Sequence, residues 1–132
     1  LTFGEAFDQS LAQVNLPSSL QTLNLSAAFN QSLEKVTWPS SLQTLTFGKG
    51  MHMFGTGFNQ SLEQVTWPSS LQTLILGQEF NQSLEHVILP SRLQTLTFGH
   101  GFNQSLEQVN LPNNLQTLTF GHRFNQSLEH VI

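Results

Sequence analysis

The sequence predicts an all-β chain wound as a parallel β-solenoid, with two short strands in each 22-residue coil. Three observations lead there. Phe7, Phe29, Phe58, Phe80, Phe102 and Phe124 each open a block reading FNQSL or close to it, at intervals of 22, 29, 22, 22 and 22 residues. Self-similarity at a period of that size marks a stacked-repeat architecture, in which each unit contacts only its neighbours. In the clean unit from Leu93 to Asn114 the apolar residues Leu93, Leu96, Phe98, Phe102, Leu106, Val109 and Leu111 are spaced by 3, 2, 4, 4, 3 and 2, so the pattern L-x-x-L-x-L occurs twice. Turn formers close each half: Gly99 after the first and Pro112 after the second.

The first half of a coil supplies the first strand. Side chains alternate along a strand, so Leu96 and Phe98 point to the core while Thr95 and Thr97 point to solvent. Gly4, Gly48, Gly77, Gly99 and Gly121 follow this strand, where glycine permits a corner with positive φ; Ser26 takes that place in the second coil. The phenylalanine column comes next and reads as core packing, because a column repeated in every coil is what a solenoid interior requires. The second strand is expected at Leu106, Val109 and Leu111. Pro17, Pro39, Pro68, Pro90 and Pro112 end it, where a fixed φ and a missing N–H suit a turn. One coil cannot bury its apolar side chains alone, but stacked coils share one continuous core.

The phrases LPSSLQTL, TFG and FNQSL, recurring with close variants at this period over essentially the whole chain, resemble the FNIP class of leucine-rich repeats, named for a Phe-Asn-Ile-Pro motif. The departure is serine at positions 32, 61, 83, 105 and 127, where many such repeats carry proline. The resemblance implies a leucine-rich-repeat-like scaffold with no catalytic signature to carry over.

Composition narrows the function. Charged residues are 9% of the chain, against about 25% in ordinary globular domains, and Gln, Asn, Ser and Thr fill the gap. With a net charge of −4 and only Lys35, Lys49, Arg92 and Arg123 as cations, no basic stripe exists to neutralise a nucleic-acid backbone. No apolar run approaches the roughly 18 residues needed to span a bilayer, and no charged-then-apolar leader opens the chain, so no membrane partner is expected. The absence of cysteine excludes disulfides and thiolate metal sites without indicating a compartment. The chain starts at Leu1 and stops at Ile132 in mid-repeat, so native ends are expected elsewhere, in a longer array.

Several columns carry candidate chemistry. Asn30, Asn59, Asn81, Asn103 and Asn125 follow the core phenylalanine, with Asp8 in the first coil. They are expected to form an inward-facing structural ladder, amides bonding to one another and to the backbone at about 4.8 Å spacing. Each is also an Asn-Gln-Ser glycosylation sequon, as is Asn24-Leu25-Ser26, but glycans on every coil conflict with an inward amide column. Glu34, Glu63, Glu85, Glu107 and Glu129 form a second column, expected on the outer side of the second strand. It reads as a solvated acidic face, since a flat line of carboxylates is not the cage of 6–8 oxygens calcium prefers. His100 and His122 occupy equivalent places in adjacent coils and His86 and His130 share another column two coils apart; two imidazoles make only part of a zinc shell, and no metal or cofactor is expected. No single nucleophile stands out among serines that recur as structural copies, so no catalytic residue is assigned.

Two features remain as candidate binding surfaces. The 29-residue interval places seven extra residues, Lys49 to Gly55, at the corner after the first strand, and this loop is expected to present Met51, His52, Met53 and Phe54. Thr44 and Thr46, Thr95 and Thr97, and Thr117 and Thr119 place paired hydroxyls on one outward face, with Thr22, Asn24, Thr73 and Ile75 as partial copies and Thr2 continuing the line. The expected role is a non-enzymatic scaffold for a protein partner, or structural assembly by self-association through uncapped solenoid ends. The alternative is an ice-binding solenoid using the outward Thr-x-Thr array.

Overall fold

The computed structural model describes residues 1–48 and 57–131, and no helix occurs among them. Five strands follow one another along the chain: β1 (Thr22–Leu25), β2 (Thr44–Phe47), β3 (Thr73–Ile75), β4 (Thr95–Thr97) and β5 (Thr117–Thr119). They form one parallel sheet in sequence order, each strand paired only with the strands of the coils before and after it. Equivalent positions lie side by side, so Leu23, Leu45, Leu74, Leu96 and Leu118 form one register row. Thr2 extends the sheet by one further parallel bridge, to Asn24. The glutamine before each strand lengthens the ladder, as Gln94 N–H donates to Gln72 O at 2.8 Å and Gln116 N–H to Gln94 O at 2.8 Å.

Why the strands form here is legible in the TLxL and TLTF alternation. The central leucines of β1 to β4 are fully buried and the flanking residues half-buried or exposed, as period-2 patterning requires. Behind the sheet the phenylalanines form the expected column: Phe7, Phe29, Phe58, Phe80, Phe102 and Phe124 stack with ring centroids 6.0 to 6.2 Å apart. Phe98 lies against Phe102 at 3.8 Å, tying the sheet to this column within one coil.

Two expectations are corrected. The second strand does not form in any described coil. Val109 N–H donates to Leu106 O at 3.0 Å and Leu115 N–H to Pro112 O at 3.0 Å, so the spacing of three between Leu106 and Val109 is a hydrogen-bonded turn, not a pleat. The same bond recurs at Leu33 and Val36, Leu62 and Val65, and Leu84 and Val87. A period of three cannot put both residues on one face of a strand, whereas a turn turns both inward. The corner glycines also do not use positive φ; among the described residues only Gly57 does, with φ 136°. What Gly99 and Gly121 provide is closeness. A Cβ on Gly99 would lie 2.1 Å from Gly77 O, and one on Gly121 2.2 Å from Gly99 O.

Trp38 and Trp67 replace leucine in the column of Leu16, Leu89 and Leu111, and stack at 6.2 Å with 14° between their planes. Both indole Nε1 atoms are buried without a hydrogen-bond partner, a cost offset by the aromatic area the pair buries.

Candidate functional site

The outward side of the sheet carries two columns of side chains in register. Thr22, Thr44, Thr73, Thr95 and Thr117 form one unbroken column by register, and Asn24, Thr46, Ile75, Thr97 and Thr119 form a second beside it. Thr22, Thr117 and Thr119 are exposed and the threonines of β2 to β4 half-buried by their neighbours in the column. Hydroxyls therefore recur at about 4.8 Å across the strands and about 6.6 Å along them. Asn24 and Ile75 interrupt the second column; Asn24 Nδ2 donates to Thr2 Oγ1 at 3.0 Å, which joins Thr2 to the same face.

The asparagines are brought together, but at the surface. Asn30, Asn59, Asn81 and Asn125 are exposed and Asn103 half-buried, so the amide column runs along the outside of a corner instead of facing inward. The side-chain oxygens of Asn30, Asn59, Asn81 and Asn103 each accept two bonds from the next coil. Asn81 Oδ1 accepts from Asn103 N–H at 2.9 Å and from Gln104 Nε2 at 3.2 Å, and Asn59 Oδ1 accepts from Asn81 N–H at 2.8 Å and Gln82 Nε2 at 3.1 Å. Asp8 Oδ1 does the same for Asn30 and Gln31. The glutamines are partners that the column of asparagines alone did not reveal; the signal was the invariable Asn-Gln pair of every later coil.

Removing one rung has a measurable consequence. Asn81→Ala should lower stability by about 1–2 kcal/mol, because Asn103 N–H and Gln104 lose an acceptor that water replaces only in part. Chemical denaturation followed by circular dichroism checks this; an unchanged midpoint would mean that the rungs contribute nothing.

The glutamates stand at the turns, not on a strand: Glu34, Glu63, Glu85, Glu107 and Glu129 are exposed, and each donates its backbone N–H to the hydroxyl of the serine two residues before it, at 3.2 to 3.3 Å. Those serines, at 32, 61, 83, 105 and 127, are thereby engaged as turn caps. Ser41 and Ser70 serve between coils, donating to Leu20 O at 2.7 Å and Leu42 O at 2.6 Å. His100 and His122 meet, with Nδ1 atoms 3.0 Å apart, while His86 and His130 remain exposed in their column two coils apart. No three His, Asp or Glu side chains gather as a metal-holding group among the described residues. Met51, His52, Met53 and Phe54 lie outside the described residues.

Comparison with known proteins agrees with this geometry. The sequence family described as FNIP Repeat matches residues 1–50, 58–101 and 102–132. No curated protein matches. A solved structure described as "The crystal structure of CroV588 a novel circular LRR protein structure" is similar at 36% identity and a TM-score of 0.69, over 97% of this chain and 21% of that one. This chain thus spans 21% of the length of the protein it matches.

Proposed function

We propose that this chain, which belongs to the FNIP repeat family, is part of a non-enzymatic binding scaffold whose threonine-bearing sheet face is the surface read by a protein partner. The observation that carries this reading is the in-register pair of polar columns on β1 to β5. A sheet face of short, uncharged side chains costs little to desolvate and little side-chain entropy to order, which suits it to a broad complementary contact. The similarity to a leucine-rich-repeat solenoid supports a scaffold role in general. The serines at 32, 61, 83, 105 and 127 cap their turns identically, which supports reading them as structural copies and not as nucleophiles.

Ice binding is the second reading, favoured by the unbroken column of Thr22, Thr44, Thr73, Thr95 and Thr117. Asn24 and Ile75 argue against it, because a flat, uniform array is needed to order a water layer. The two readings separate cleanly in one experiment. The purified chain should show no thermal hysteresis, while Thr95→Arg with Thr97→Arg should abolish partner retention and leave the melting temperature within a few degrees, both side chains being on the outer face. Thermal hysteresis in the unmodified chain, lost in that variant, would replace the scaffold reading with ice binding.

A further inference from the structure

We propose that His100 and His122 form a two-imidazole site for a divalent transition-metal ion, with Cu²⁺ the best fit. The two Nδ1 atoms face each other at 3.0 Å, with ring centroids 4.7 Å apart and the planes at 61°. Both side chains are exposed, so an ion reaches them from solvent.

The pair is held by the backbone beneath it, not by chance contact of two mobile loops. Both histidines follow the close-approach glycines, Gly99 and Gly121, in consecutive coils. Even a Cβ on Gly121 would stand 2.7 Å from His100 Cα, so the two corners are in direct contact. Arg123 N–H donates to His100 O at 3.2 Å, and Gly101 N–H donates to Gln78 O at 2.8 Å, fixing each corner to the one before it. The solenoid therefore fixes the spacing of the two corners, so only the side-chain rotamers have to be ordered when an ion joins the ligands.

The separation is compatible with one coordination geometry more than another. Two nitrogens bound at about 2.0–2.1 Å and subtending a right angle lie roughly 3 Å apart, as in the tetragonal sites of Cu²⁺ and Ni²⁺, whereas tetrahedral zinc spreads them to about 3.4 Å. In the metal-free pair one ring donates its Nδ1 hydrogen to the other. On binding, that hydrogen passes through solvent to Nε2 of the same ring, both Nδ1 lone pairs go to the metal, and no net proton is released. Water completes the coordination.

The test is a Cu²⁺ titration of the purified chain at neutral pH, with affinity from a competing chelator and ligation from electron paramagnetic resonance. His100→Gln or His122→Gln should each weaken binding by about tenfold or more, and the double variant little further, because either change breaks the same chelate. His86→Gln with His130→Gln should leave the affinity unchanged. Cu²⁺ should also raise the melting temperature of the wild type but not of His122→Gln, since the ion clamps adjacent coils. The site is refuted if each single variant lowers affinity twofold or less, or if the His86→Gln, His130→Gln protein loses as much.

Discussion

Gly99→Ala should destabilise the array by about 3 kcal/mol or more, an overpacking cost at the upper end of the usual range. The new methyl would meet Gly77 O at 2.1 Å, Gly77 C at 2.5 Å and Gln78 Cα at 2.7 Å, all backbone atoms that cannot rotate away. Relief requires the two coils to separate at the corner, which pulls β3 and β4 out of register and loosens the phenylalanines behind them. Gly4→Ala is the internal control: nothing lies within 4 Å of its added Cβ, so the change should stay within about 0.5 kcal/mol. Urea denaturation of the two variants measures the difference. Equal midpoints would mean that the coils are not in the contact described.

Phe80→Ala should cost about 3–5 kcal/mol, the range for deleting a fully enclosed aromatic ring. Phe80 has no exposed surface and sits between Phe58 at 6.0 Å and Phe102 at 6.1 Å. In a linear array the loss falls on two coil–coil interfaces at once, so unfolding should lose cooperativity and the denaturant slope should fall. Phe124→Ala should cost distinctly less, since Phe124 stays half-buried and has a described coil on one side only. A Phe80→Ala protein with wild-type slope and midpoint would remove the phenylalanine column as the source of stability.

Most of this fold was legible because one pattern repeats. Leu96 between Thr95 and Thr97 states its own orientation, and the period fixes which residues stack, so the solenoid, the parallel register and the phenylalanine column follow from spacing. Misreadings arose where one spacing admits two geometries. Leu106 and Val109 have the separation that Leu93 and Leu96 have, yet only the first pair closes a hydrogen-bonded turn, while Leu93 leads through Gln94 into β4. Gly99 was legible as a corner but not as a contact, because the partner it must admit, Gly77 O, belongs to another coil. The asparagine ladder was legible as a column, yet its side was not: an amide that bonds at a bend satisfies the same pattern inside or outside. The His100 and His122 contact was legible as equivalence in adjacent coils, while the 3.0 Å approach depends on rotamers no spacing specifies.

The claim that the outward face of the sheet is where a partner binds is tested most directly by site-specific photocrosslinking. A benzoylphenylalanine placed at Thr97, in the second outward column, should capture a partner from an extract of the source organism as a discrete adduct, and the same residue placed at Glu107, on the turn beyond the core, should not. Capture from Glu107 with none from Thr97 would contradict the account and move the binding surface to the other side of the coil.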